Sequence, residues 1–109
     1  MATTELIKVC ELEDIEDGEG LRLEIDGFPA LAVYRIGDQA YTTADLCSHG
    51  EASLAEGELE ADEFEIICPF HSGSFDIRTG EPMAAPCTEA IKAYRTVVED
   101  GSVFIEPEG

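Results

Sequence analysis

Cysteine followed closely by histidine occurs twice in this chain, as Cys47-Ser48-His49 and as Cys68-Pro69-Phe70-His71, with 18 residues between His49 and Cys68. His49 and His71 are the only histidines present. Two such pairs of unequal internal spacing, each on its own loop, can bring two sulfurs and two nitrogens to one point. Cys47, His49, Cys68 and His71 are therefore the candidate metal ligands. A set of this composition can hold one tetrahedral zinc, although zinc-binding histidines more often form a second pair, apart from the cysteines and preceded by a helix. One ligand of each type on each loop suits two irons better, one taking both thiolates and the other both imidazoles. Both loops must then reach both metals, so the fold has to hold them side by side.

The rest of the sequence supplies strands. Helical spacing of apolar residues is not sustained anywhere, whereas short strand-forming segments alternate with turn residues. Strands are expected at 6–10, 21–25, 29–36, 39–43, 58–59, 63–68, 74–76, 91–99 and 102–106. Asp26-Gly27, Gly37-Asp38 and Asp100-Gly101 are the expected tight turns. Pro29 belongs at a strand start, where its missing N–H costs least. Between Thr43 and Pro86 the texture changes, because glycines, both histidines and two of the cysteines gather among loop-like segments. This pattern predicts an all-β chain with a loop-built subdomain at about 44–86 inserted into a β scaffold of 1–43 and 87–109. A chain of 109 residues buries one core and not two, so 1–109 reads as a single domain.

Charge narrows the partners. With 25 acids against 6 basic residues and a formal net charge of −19, the molecule is expected to be repelled by nucleic acid and by anionic membranes. It should favour partners presenting positive charge and remain a monomer through self-repulsion. Residues 11–19 hold six acids in nine positions, readable as a solvated loop or short helical turn, or as a docking segment. The longest apolar run, 28–36, is interrupted by Arg35 and is far shorter than the about 20 residues of a membrane-spanning helix. The opening Met-Ala-Thr-Thr-Glu-Leu-Ile-Lys does not read as a secretory signal, which points to the cytoplasm. In that reducing compartment a disulfide framework is unnecessary, and Cys10 and Cys87 read as ordinary thiols. Gly18-Glu19-Gly20 is followed by Leu23 where a dinucleotide-binding turn needs a third glycine. Both histidines are committed, which leaves none for the two-histidine, one-carboxylate site of a mononuclear iron oxygenase.

The string Cys47-x-His49-Gly50, then Cys68-Pro69-Phe70-His71-x-Gly73-x-Phe75-Asp76, then Thr79-Gly80-x-Pro82, resembles the Rieske-type [2Fe–2S] ferredoxins of bacterial aromatic ring-hydroxylating dioxygenase systems, biphenyl and naphthalene dioxygenases among them. The resemblance covers nearly the whole chain. It implies the Rieske iron–sulfur fold and one [2Fe–2S] cluster, with Cys47 and Cys68 on the buried iron and His49 and His71 on the outer one. It also makes 80–86 a third loop over the cluster, with Pro82 packing beside it. Met83, beside that loop, reads as a packing residue. Leu46, Phe70 and Phe75 read equally as an apolar wall limiting water or as simple core.

High-potential Rieske proteins carry an extra cysteine in each ligand loop, forming a disulfide brace, where this chain has Ala52 and Phe70. Their hydroxyl donors correspond here to Gly73 and Phe75. The resemblance thus implies a potential toward the low end of the Rieske range of about −150 to +300 mV. The implied role is that of a one-electron carrier in aromatic hydrocarbon catabolism, not itself an enzyme. It would pass electrons from a flavin-containing NAD(P)H-dependent ferredoxin reductase to the Rieske centre of a terminal oxygenase. Two other readings of the same residues are a small Rieske-like subunit of an assimilatory nitrite reductase and a zinc-binding module.

Overall fold

Ile36 and Gln39 face each other across Gly37-Asp38, and Glu99 and Ser102 across Asp100-Gly101, so both expected two-residue hairpins form. Their glycines take the positive φ that such turns demand, 63° at Gly37 and 79° at Gly101. The computed structural model describes residues 6–25, 27, 30–45, 53–68, 73–84 and 90–106. Among them lie the strands β1 (Ile7–Glu11), β2 (Gly20–Leu23), β3 (Leu31–Ile36), β4 (Gln39–Ala44), β5 (Glu58–Glu60), β6 (Glu65–Ile67), β7 (Ser74–Asp76), β8 (Pro82–Ala84), β9 (Ala93–Tyr94), β10 (Thr96–Glu99) and β11 (Ser102–Ile105). Three 3-10 turns, Leu12–Asp14, Leu54–Glu56 and Ala61–Glu63, are the helical segments among the described residues. None is long and apolar enough to cross a membrane.

The strands form three antiparallel sheets ordered β1-β11-β10, β2-β3-β4-β9 and β5-β6-β7-β8. β3 explains how they stack. Leu31, Ala32, Val33 and Tyr34 are all fully buried, and alternation sends them to opposite faces. Val33 joins Leu12, Ile15, Ala40 and Val103 against the first sheet, while Ala32 and Tyr34 join Leu54, Ile66, Cys68, Phe75, Ile77 and Ile91 against the third. The β2-β3-β4-β9 sheet is thus the middle layer and supports the sheet that carries Cys68.

Several elements depart from the sequence expectation. The segment 91–99 is two strands, because Ala93–Tyr94 pairs with β4 and Thr96–Glu99 pairs with β11. The Thr96 hydroxyl sits at the crossover, donating to Thr42 Oγ1 at 3.0 Å and lying 3.0 Å from the Tyr94 carbonyl. The strand expected at 63–68 begins at Glu65, since Phe64 turns left-handed at φ 56°. That strain is offset by packing of the Phe64 ring edge-on to Tyr41, with Arg78 4.4 Å from its centroid. The described pairing of β2 with β3 runs from Gly20↔Tyr34 to Leu23↔Leu31, and the expected tight turn at Asp26-Gly27 falls partly outside the described residues. Asp26, Phe28 and Pro29 lie outside the described residues.

Pro82–Ala84, expected within a loop, is the edge strand β8, where proline's missing donor is tolerated. Met83 is 50% exposed rather than packed. In the acidic segment the helical-turn reading matches Leu12–Asp14: Leu12 and Ile15 enter the core, Glu11 meets Lys8 and Ser102, and Asp17 caps the N–H of Gly37.

Candidate metal centre

Cys68 is the first residue after β6, and its N–H donates to the Gly73 carbonyl at 2.7 Å, closing 68–73 immediately before β7. The residue is 1% exposed and sits in the apolar cluster with Leu54, Ile66, Phe75 and Ile77. Of the four candidate ligands it is the one described. Cys47, His49 and His71 lie outside the described residues, as do Leu46, Phe70, Ala52 and Cys87. Phe75 is fully buried beside Ile66 and Cys68 as part of the core.

The described ends of the loops show what brings them together. Glu58 pairs with Ile67, Ile67 with Ser74, and Ser74 with Ala84, so the segments around Cys68 and beyond Ala84 leave from one end of one sheet. Residues 46–52 leave β4 at Asp45 and return at Ser53, which leads into the turn Leu54–Glu56 and then Gly57. A Cβ on Gly57 would overlap the carbonyl oxygen of Ile67 and come within 3.1 Å of its carbon. Only glycine lets this turn press onto the end of β6, one residue before Cys68. The return at Ser53 is thereby tied, through Gly57, to the end of β6 that leads into Cys68.

A buried cysteine in an apolar surround, beside the base of a second loop rich in soft and imidazole donors, fits a cluster ligated by thiolates and imidazoles. The hydroxyls at the loop bases are turned elsewhere. Ser53 donates to Asp45 at 2.7 and 2.9 Å, and Ser74 donates to Glu65 at 2.9 Å.

All six basic side chains are engaged within the molecule: Lys8 by Glu11, Arg22 by Glu24 and Asp45, Arg35 by the carbonyls of Leu12, Ile15 and Gly37, Arg78 by Asp76, Lys92 over Tyr94, and Arg95 by Glu106. The Arg78 guanidinium hydrogen-bonded to Asp76 holds that carboxyl below the usual carboxylate range. Asp45 and Gly57 did not stand out in the sequence. The available signals were a lone charge between the uncharged Thr42-Thr43-Ala44 end of β4 and Cys47, and a glycine just past the loop's return.

Cys10 belongs to β1 and packs in the other core cluster, with Leu12, Ile15 and Val103. Burial, followed by the charges of Asp14 and Glu11, pushes its thiol up from 9.0 to about 11. Its thiolate population at pH 8 is therefore about 100-fold below that of an unperturbed thiol. Alkylation by iodoacetamide, followed site by site by mass spectrometry, is expected to be about 10-fold slower or more, since the greater nucleophilicity of a high-pKa thiolate offsets part of its scarcity, and rapid labelling at pH 8 would contradict this environment.

The sequence model of a family described as Rieske [2Fe-2S] domain matches residues 5–95. Ferredoxin CarAc of Metapseudomonas resinovorans is 44% identical over 102 residues, covering 94% of this chain and 94% of that protein. The structure of the ferredoxin of carbazole 1,9a-dioxygenase from Nocardioides aromaticivorans IC177 superposes with a TM-score of 0.88 at 38% identity, over 96% of this chain and 99% of that one. A chain in a complex of reduced oxygenase and oxidised ferredoxin in carbazole 1,9a-dioxygenase superposes with a TM-score of 0.83 at 42% identity, over 95% of this chain and 94% of that one.

Proposed function

Because the chain belongs to the Rieske [2Fe–2S] domain family, whose members hold one such cluster, we propose that it is a one-electron carrier serving a terminal aromatic ring-hydroxylating oxygenase. The observation that carries the proposal is the likeness, at 42% identity over 95% of the chain, to a protein solved in a complex of oxygenase and ferredoxin. Its electrons come from a flavin-containing NAD(P)H-dependent ferredoxin reductase. It acts in the cytoplasm as a monomer, without nucleic acid or membrane, and catalyses no reaction on the aromatic substrate.

In this proposal Cys47 and Cys68 hold the inner iron and His49 and His71 the outer one, within a subdomain of about 44–86 carried on 1–43 and 87–109. When bound, the cluster supplies one-electron redox chemistry, with the imidazole-ligated iron the easier to reduce. Cys68 contributes its sulfur from inside the apolar core, where Phe75, Ile66 and Leu54 exclude water from its side of the site. Ser53 and Ser74 spend their hydroxyls on carboxylates, and Gly73 and Phe75 carry none, which supports a potential in the lower part of the family's range. With every basic side chain engaged internally, the acidic excess steers docking toward positively charged surfaces.

The test combines visible absorption and reduced-state electron spin resonance of the purified protein with the His49→Ala and His71→Ala variants, and with reductase-driven reduction at rising salt. Both variants are expected to lose the Rieske signal. The reduction rate should fall as ionic strength passes the point where the screening length is about 8 Å. A signal unchanged in either variant removes the ligand assignment, and a rate indifferent to salt removes charge steering. A colourless protein holding one zinc, or stable co-purification with a sirohaem enzyme, would replace the carrier reading.

A further inference from the structure

Asp45 follows the last residue of β4 and stands where the chain enters 46–52, opposite the return at Ser53. Although acidic, it is only 3% exposed. Ser53 Oγ donates to both of its carboxylate oxygens, at 2.9 Å to Oδ1 and 2.7 Å to Oδ2. The N–H of Ala55 donates to Oδ1 at 2.9 Å, and Arg22 Nε, from β2, donates to Oδ2 at 3.2 Å. The main chain is equally committed: the Asp45 N–H donates to the Ala30 carbonyl at 3.0 Å, and its own carbonyl accepts the Leu54 N–H at 2.8 Å.

Filling this space with an apolar residue would avoid the desolvation of a carboxylate, so stability alone gives little reason for the charge. What the carboxylate does that an apolar residue cannot is join the two ends of the Cys47–His49 loop and anchor them to β2. From Ala55 the chain leads through Gly57 onto the end of β6 and so to Cys68.

We propose that Asp45 is a positioning residue for the cluster: by binding Ser53, Ala55 and Arg22 at one point it sets where Cys47 and His49 are presented to the loop of Cys68 and His71. This rests on the ligand assignment proposed above. Partners hydrogen-bonded directly to a metal ligand change metal affinity by about 10- to 100-fold when removed, which sets the scale for a residue that acts through the ends of the ligand loop.

The experiment uses the cluster-loaded protein with Asp45→Asn, Ser53→Ala and Ser53→Thr, together with Val103→Ala as a packing control in the other core cluster. The readouts are the rate at which visible absorption is lost to an iron chelator, the g values of the reduced state, and the thermal midpoint. Asp45→Asn and Ser53→Ala are expected to lose the cluster about 10- to 100-fold faster than wild type and to shift the g values. Ser53→Thr, which keeps the hydroxyl, is expected to restore both. Should Asp45→Asn fail to fold, Ser53→Ala decides.

Wild-type rates and g values in Ser53→Ala would overturn the proposal. So would equally fast loss in Val103→Ala at a matched thermal midpoint, which would make the effect one of general stability. Retention of the cluster with wild-type absorption and g values by Cys68→Ser would instead overturn the ligand assignment, an outcome distinguishable from either.

Discussion

Gly80→Ala is expected to lower the thermal midpoint by about 10–20 °C. Gly80 sits at φ +81°, and a Cβ there would overlap the carbonyl oxygen of Ile91 and lie 3.0 Å from its carbon. Both are backbone atoms and neither can rotate away. The Ile91 N–H donates to the Gly80 carbonyl at 2.9 Å, and the Gly80 N–H to the Asp76 carbonyl at 2.7 Å, so the clash acts on a joint between β7 and the segment leading to β9. The left-handed conformation alone costs a non-glycine residue about 1–2 kcal/mol. Overpacking adds about 1–3 kcal/mol, out of a total stability of about 5–15 kcal/mol. Gly101→Ala separates the two contributions, because Gly101 has φ +79° with nothing near the added atom. Thermal unfolding followed by circular dichroism should show the smaller, conformational loss for Gly101→Ala. Equal losses in the two variants would mean that the contact with Ile91 yields.

Cys68→Ser is expected to give a colourless protein without bound cluster. The residue lies at the boundary between β6 and its loop and is almost wholly buried, so serine offers a poor iron donor in an apolar surround with no water to replace it. Cys10→Ser is the matching control, expected to keep the full visible spectrum because Cys10 packs in the cluster between the other two sheets. Iron content and absorbance per protein check both. An unchanged visible spectrum in Cys68→Ser would place the inner iron elsewhere.

Much of the scaffold was legible because its signals are local. Gly37-Asp38 and Asp100-Gly101 each specify a two-residue turn, and the apolar, strand-forming residues of β3 fall within the strand expected at 29–36. The features missed depend on partners distant in sequence. The break between β9 and β10 follows from one half pairing with β4 and the other with β11, which no local pattern records. β8 is short and opens with proline, yet the neighbouring β7 turns it into an edge strand. The motif singled out the candidate ligands by type and spacing, but Asp45 is defined by contacts with residues 22, 53 and 55, and before the chain is folded it resembles any other acid in an acidic protein.

The internal engagement of all six basic side chains also bears on what two copies can do to each other. Among the described residues a second molecule finds each lysine and arginine of the first already engaged by an internal partner, and the acidic excess pushes the pair apart before their redox centres approach. Electron self-exchange between reduced and oxidised copies is therefore expected to be slow at low salt and to quicken as salt is added, the opposite trend to exchange with a positively charged partner. A pool of such molecules would hold its electrons individually until a surface of the opposite sign collects them.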